Sequence, residues 1–145
     1  MASLVSSLHP KDGFHTTSTT QISITQLSAL QNCSLHLYYT LPPLIFVDPY
    51  ELVHHQHSYD FKHWGTSNLE LPVTAVNLEG SALLLGVSFP DDASVDVVEV
   101  RVPLHMRYGE PAQSTRSGHQ TAEIPWPVGF LACPSACEFL RFLVV

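Results

Sequence analysis

The chain has 145 residues, which suits one domain with a core of its own and no more. Charged residues make up 13% and hydrophobic residues 45%, a balance that excludes disorder over the whole chain, because disorder requires low hydrophobicity and high charge. Six Lys and Arg against thirteen Asp and Glu leave a net charge of −7, and a surface of that sign repels phosphate, so nucleic acid and anionic lipid headgroups are poor partners.

The opening residues 1–8 have no basic start and only a short apolar run before Pro10-Lys11-Asp12, so no signal peptide is expected there. No apolar run of about 20 residues occurs, so no membrane span is expected either. From residue 21 to 108 the pattern is strand-like. Ile22 and Ile24 alternate with Ser23 and Thr25, and a single helical turn is expected at 27–31. Leu35, Leu37 and Tyr39 alternate with His36, Tyr38 and Thr40; Leu69, Leu71 and Val73 alternate with Glu70 and Pro72; Leu83, Leu85, Val87 and Phe89 share one parity.

The longest run sets Val98, Val100, Val102, Leu104, Met106 and Tyr108 against Glu99, Arg101, Pro103, His105 and Arg107. Period two predicts the first set in a core and the second facing water or a partner. Pro103 has no N–H for a ladder, so the run is expected to be an edge strand or to divide at a bulge. Turn chemistry at Pro42-Pro43, Asp48-Pro49, Asn77 to Gly80 and Pro90-Asp91-Asp92 separates the segments. Residues 109–125 read as a polar loop, and the apolar 139–145 as a terminal strand, a helical turn or the stub of a longer segment. Short strands divided by turns, with no helix of ten residues or more, predict an all-β, antiparallel β-sandwich in a single domain.

Candidate chemistry is sparse. Cys33, Cys133 and Cys137 allow one pair at most, and the spacing of the last two matches neither redox nor zinc motifs. Asn32-Cys33-Ser34 fits the N-x-[ST] acceptor, which makes Asn32 a glycosylation candidate. His54, His55, His57 and His63 crowd near Asp60, but in a polar segment that reads as a solvated loop, so no metal site is expected. No nucleophile elbow, zinc-protease motif or glycine-rich phosphate loop is present, and the paired carboxylates Asp48/Glu51 and Asp91/Asp92 lie at turns. Neither a catalytic residue nor a cofactor is therefore expected. His105 and Arg107, on the polar parity of the longest run, are candidates for a strand edge that meets a partner.

Five segments in order carry a resemblance: Lys11-Asp12-Gly13-Phe14-His15; Leu41-Pro42 with Phe46-Val47-Asp48-Pro49-Tyr50-Glu51-Leu52; Leu69-Glu70-Leu71-Pro72; Val102-Pro103-Leu104-His105-Met106-Arg107-Tyr108 followed by Pro111; and Cys133. Together they resemble the PIG-X family, whose fungal members are the protease-B-nonderepressible proteins. On that resemblance the chain divides into an N-terminal segment 1–10, a sandwich core 11–108, a loop and domain end 109–133 and an apolar stub 134–145.

The resemblance implies a non-catalytic subunit of glycosylphosphatidylinositol (GPI) mannosyltransferase I. Such a subunit sits in the endoplasmic reticulum (ER) membrane with its conserved part in the lumen. It stabilises a multi-span catalytic partner, which moves the first mannose from dolichol-phosphate-mannose to the GPI precursor. Family members are held by a C-terminal span that is not seen after Cys133 here, so association with the membrane is expected through the partner or through that span. A lumenal setting agrees with the Asn32 acceptor and makes a bond from Cys33 to Cys133 or to Cys137 chemically permissible. Asp48, Pro49, Tyr50 and Glu51 are then expected to shape a rigid turn, with Pro103 structural and His105, Arg107 and Tyr108 closing the second signature strand. Tyr50, His105 and Arg107 are the contacts expected toward the partner. Two rival classes are an independent lumenal or secreted module binding glycans, or metal through the histidines, and a hydrolase using Asp48 and Glu51 or a Cys/His pair.

Overall fold

The structure, a computed structural model, describes residues 2–25, 32–66, 68–89, 97–110, 118–134 and 136–139. The helical turn expected at 27–31 and the turn at Pro90-Asp91-Asp92 lie outside the described residues, as does Pro111.

Alternating apolar residues set the strands. They are β1 (Ala2–His9), β2 (His15–Ile24), β3 (Ser34–Leu41), β4 (Ile45–Phe46), β5 (Tyr59–Trp64), β6 (Ser81–Val87), β7 (Val97–Met106), β8 (Val128–Cys133) and β9 (Ala136–Phe139). One short helix, α1 (Pro49–Val53), and a single 3-10 turn at Val73–Ala75 complete the described elements. The strands form two sheets, in the orders β1-β2-β7-β4 and β5-β6-β3-β8-β9, and every pairing is antiparallel. Neighbours in a sheet are often far apart in the chain, as with β2 and β7 or β3 and β8.

The core lies between the sheets. Ile22, Ile24, Val100, Val102 and Leu104 come from the first sheet, and Leu35, Leu37, Leu41, Leu83, Leu85 and Leu131 from the second. Two buried tyrosines cross the gap as well as filling it. Tyr39 shares its hydroxyl with Ser18 Oγ at 3.3 Å and Thr20 Oγ1 at 3.5 Å, and Tyr59 donates to the Arg101 carbonyl at 3.1 Å. Each phenol on the second sheet is thereby tied to a strand of the first. The all-β sandwich predicted from period-two alternation is what forms, and the inward residues of β3, β6 and β7 are those of the predicted parity.

Several local expectations change. β7 runs unbroken through Pro103, with no dividing bulge. Pro103 stands opposite Thr17 of β2, while on the other flank β4 meets only His105 and Met106. Pro103 thus lies where β7 has no second ladder among the described residues, which is where a missing N–H costs nothing. Residues 69–73 are not a strand. Asn68 N donates to Thr66 Oγ1 and Glu70 N to Asn68 Oδ1, so side chains take the donors a ladder would need, and Pro72 removes another. β1, within the residues set apart as an N-terminal segment, pairs with β2 along its whole length. β5 emerges from the end of the histidine-rich segment, anchored by the fully buried Tyr59.

The turn from Asn77 to Gly80 feeds β6. Gly80 adopts a φ of 72°, and a Cβ there would collide with the Leu41 carbonyl, so both backbone conformation and packing require glycine.

Candidate functional site

Of the segments that carry the resemblance, those from residues 11–15, 41–52, 69–72 and 102–108 meet at one end of the first sheet. β3 ends at Leu41, and a tight turn, with Ile45 N donating to the Pro42 carbonyl at 2.9 Å, starts β4. Asp48 then caps α1 by accepting from Tyr50 N at 2.8 Å, with Pro49 in the first turn where no N–H is needed. The expected rigid turn is therefore a short capped helix. It buries Leu52 and turns Glu51 toward β7.

There Glu51 Oε2 meets His105 Nε2 at 2.5 Å. The His105 ring stacks on Phe46, at a centroid distance of 5.2 Å, and meets the His15 ring edge-on at 4.7 Å. The other face of this group is closed by Arg107. Its guanidinium lies 4.5 Å from the centre of the Phe46 ring, and Nη1 donates to the carbonyls of Asn68 at 2.7 Å and Leu71 at 3.0 Å. Arg107 N donates to the Leu44 carbonyl at 2.7 Å, Val73 N to the Tyr108 carbonyl at 3.1 Å, and Met106 N to the Phe14 carbonyl at 2.8 Å. One cation thus joins β4, the end of β7 and the 68–72 segment, and backbone bonds add residues 14 and 73.

Arg107 was expected to point outward with His105. It does lie on the face away from the inter-sheet core, but the 68–72 segment covers it, so only 3% of it is accessible. Burial also lowers its pKa from the usual guanidinium value. Its side chain is committed to internal carbonyls and is not presented to a partner, which corrects its place among the expected contacts. His105 is mostly covered too. Tyr108 was expected on the inward parity and is instead 76% exposed, because the strand ends at Met106 and the alternation ends with it. It rests on Phe14 at 5.3 Å. Tyr50 is 82% exposed on the outer face of α1. Beside this group, a groove of about 510 Å³ is lined mainly by Leu8, Pro10, Phe14, Met106, Ile124 and Trp126.

Residues 11–141 match the protein family described as PIG-X / PBN1. The chain belongs to the PIG-X/PBN1 family. Among curated proteins, it is 33% identical over 139 residues to protein pbn1 of Emericella nidulans, a match covering 86% of this chain and 26% of that protein. It is 36% identical to protein pbn1 of Aspergillus fumigatus over 70% of this chain and 22% of that protein, and 37% identical to protein pbn1 of Aspergillus oryzae over 70% and 20%. The chain therefore spans about a quarter, or less, of the length of these relatives. No solved structure matches it.

Elsewhere in this PIG-X/PBN1 domain, Cys33 and Cys133 are joined by a disulfide. The bond links the residue before β3 to the last residue of the neighbouring β8. Asn32 is exposed beside it. Of the crowded histidines, His55 and His57 come together with their rings 6.4 Å apart, and the four do not converge on one point. His54 and His57 are exposed, while His55 stacks against Tyr59 at 6.0 Å. His63 sits in β5, where burial lowers its pKa. Among the described residues, no three His, Cys, Asp or Glu side chains come close enough to hold a metal ion. No helix of the described residues is long and apolar enough to cross a membrane.

Proposed function

We propose that this domain is the lumenal, non-catalytic part of a subunit that stabilises the ER mannosyltransferase adding the first mannose to the GPI-anchor precursor. The reading starts from membership of the PIG-X/PBN1 family. The observation that carries it is the use made of the signature residues. Asp48, Glu51, His105 and Arg107 bond to one another's segments and to the backbone, which is the work of a scaffold. Among the side chains this scaffold leaves exposed at the same end of the sheet are three aromatic rings: Phe14, Tyr50 and Tyr108. Large rings suit a protein interface, because they bury much area while losing few rotamers, and the two tyrosines add a polar tip. The contact surface of the proposal is accordingly Tyr50 with Phe14 and Tyr108, supported from below by His105 and Arg107.

The test is a triple substitution, Phe14→Ala, Tyr50→Ala and Tyr108→Ala, in the full-length subunit. The expected result is a folded protein that loses at least tenfold in co-purification with the mannosyltransferase, with cells showing less of that enzyme and fewer GPI-anchored surface proteins. Unchanged co-purification would discard the contact surface. Normal mannosyltransferase levels in cells lacking the protein would discard the function.

A further inference from the structure

The glycosylation acceptor and the disulfide share a residue. Asn32, Cys33 and Ser34 form the acceptor tripeptide, and Cys33 is bonded to Cys133. We propose that Asn32 receives an N-linked oligosaccharide only while Cys33 is a free thiol, so that closure of the Cys33–Cys133 bond ends the interval in which the site can be modified. The proposal rests on the lumenal reading above.

The folded geometry argues it. Asn32 is exposed, so a glycan attached there has room. The two residues read together with it are fixed. Cys33 packs against the core and is tied to β8. Ser34 opens β3 opposite Ala132, and its hydroxyl lies 2.8 Å from His36 Nε2 and donates to the Ala132 carbonyl at 3.4 Å. Transfer needs the serine hydroxyl beside the acceptor amide, in a tripeptide free to bend into an enzyme cleft. A strand locked to its neighbour by ladder and disulfide cannot bend in that way, and the exposed Ser34 hydroxyl is already engaged by His36 and Ala132.

The two reactions draw on separate co-reactants. In transfer, Asn32 Nδ2 bonds to the anomeric carbon of an oligosaccharide carried on a lipid pyrophosphate. The carbon–oxygen bond to the pyrophosphate breaks, the lipid pyrophosphate leaves and the amide proton passes to solvent. In closure, the thiols of Cys33 and Cys133 lose two electrons and two protons to the disulfide of an oxidoreductase, which becomes a dithiol. The order of synthesis sets the timing. Cys133 follows Cys33 by 100 residues, which takes about 5–20 s to synthesise at ordinary rates. During that interval Cys33 has no Cys133 to pair with.

The experiment translates the full-length subunit with ER microsomes and measures the glycosidase-sensitive mobility shift. Wild type should be partly modified. Occupancy should rise at least twofold in Cys133→Ala/Cys137→Ala, which leaves the acceptor tripeptide intact, and equally in wild type synthesised with dithiothreitol. Leu37→Ala weakens the fold but keeps all cysteines, and should stay at the wild-type level. A second acceptor made by Glu79→Thr, with Asn77 exposed in the turn before β6, reports lumenal entry and should be modified alike in every background. Equal occupancy at Asn32 with and without the cysteines overturns the proposal, as does a rise in Leu37→Ala matching that of the double variant. An unmodified Asn77 acceptor overturns the lumenal reading and this proposal with it.

Discussion

At the start of β3 a covalent bond ties Cys33 to the adjacent strand, whereas past its far end the chain is held by the Glu51–His105 hydrogen bond, stacked rings and one buried cation. The covalent tie needs two residues and acts chiefly on the unfolded chain, whose freedom it reduces. The polar network acts on the folded state. It works only if β4, α1, β7 and the 68–72 segment arrive together, because a buried charge or carbonyl lacking its partner is costly. The family-signature residues therefore concentrate at the network end, where several segments must agree, while the other end needs only its cysteines.

The sharpest way to break this contrast is to remove the disulfide. Replacing Cys33 and Cys133 by Ser opens a loop of 100 residues and should cost about 4.7 kcal/mol on the chain-entropy account, seen as a lower urea midpoint. Arg107→Ala comes next. It leaves the Asn68 and Leu71 carbonyls without their donor and should cost about 3 kcal/mol. Arg107→Lys should recover less than half of that, since an ammonium cannot also stack flat on Phe46. Urea denaturation of both variants beside wild type decides it, and full recovery by Lys would reduce Arg107 to a simple charge.

Between the two ends, Tyr59→Phe removes the hydroxyl bonded to the Arg101 carbonyl and should cost about 1 kcal/mol. Burial, with Tyr39 and Glu51 nearby, raises the Tyr59 pKa, so the phenol remains a donor across ordinary pH. The smallest effect is expected at His63. Burial holds its folded pKa below 6.5, and Nε2 has no hydrogen-bond partner. The unfolded chain takes up a proton near 6.5 that the folded one resists, so this contribution is complete above that pH and is lost as pH falls through 6.5 toward the folded value. His63→Gln should therefore flatten the fall in urea midpoint between pH 7 and pH 5, and an unchanged slope would rule His63 out as its source.

Much of the sandwich was legible because burial imposes period two. Leu35, Leu37 and Tyr39, or Val100, Val102 and Leu104, announce their strands without help from distant residues. Residues 69–73 show the same alternation and yet form a loop, because Thr66 and Asn68 capture backbone donors and Arg107 captures two carbonyls. That competition depends on a residue far along the chain. β1 was not legible because residues 1–8 offer only a short apolar run broken by serines, and it is the pairing with β2 that makes them a strand. Arg107 was misread for a related reason. The alternation places it on the outer face correctly, but only the arrival of the 68–72 segment makes that face an interior. Asp48-Pro49 was read as turn chemistry, and the same cap that starts a turn also starts α1.

The strand order has a consequence for any attempt to divide the protein. β2 lies against β7 and β3 against β8, so a cut between β6 and β7 divides both sheets, leaving three of four and three of five strands in one fragment and one and two in the other. Neither fragment has a complete hydrophobic layer to bury. Expressed separately, both should be insoluble or unstructured, and mixed they should reassemble only as a pair, which would make the 87–97 junction a natural place to build a split reporter of subunit assembly.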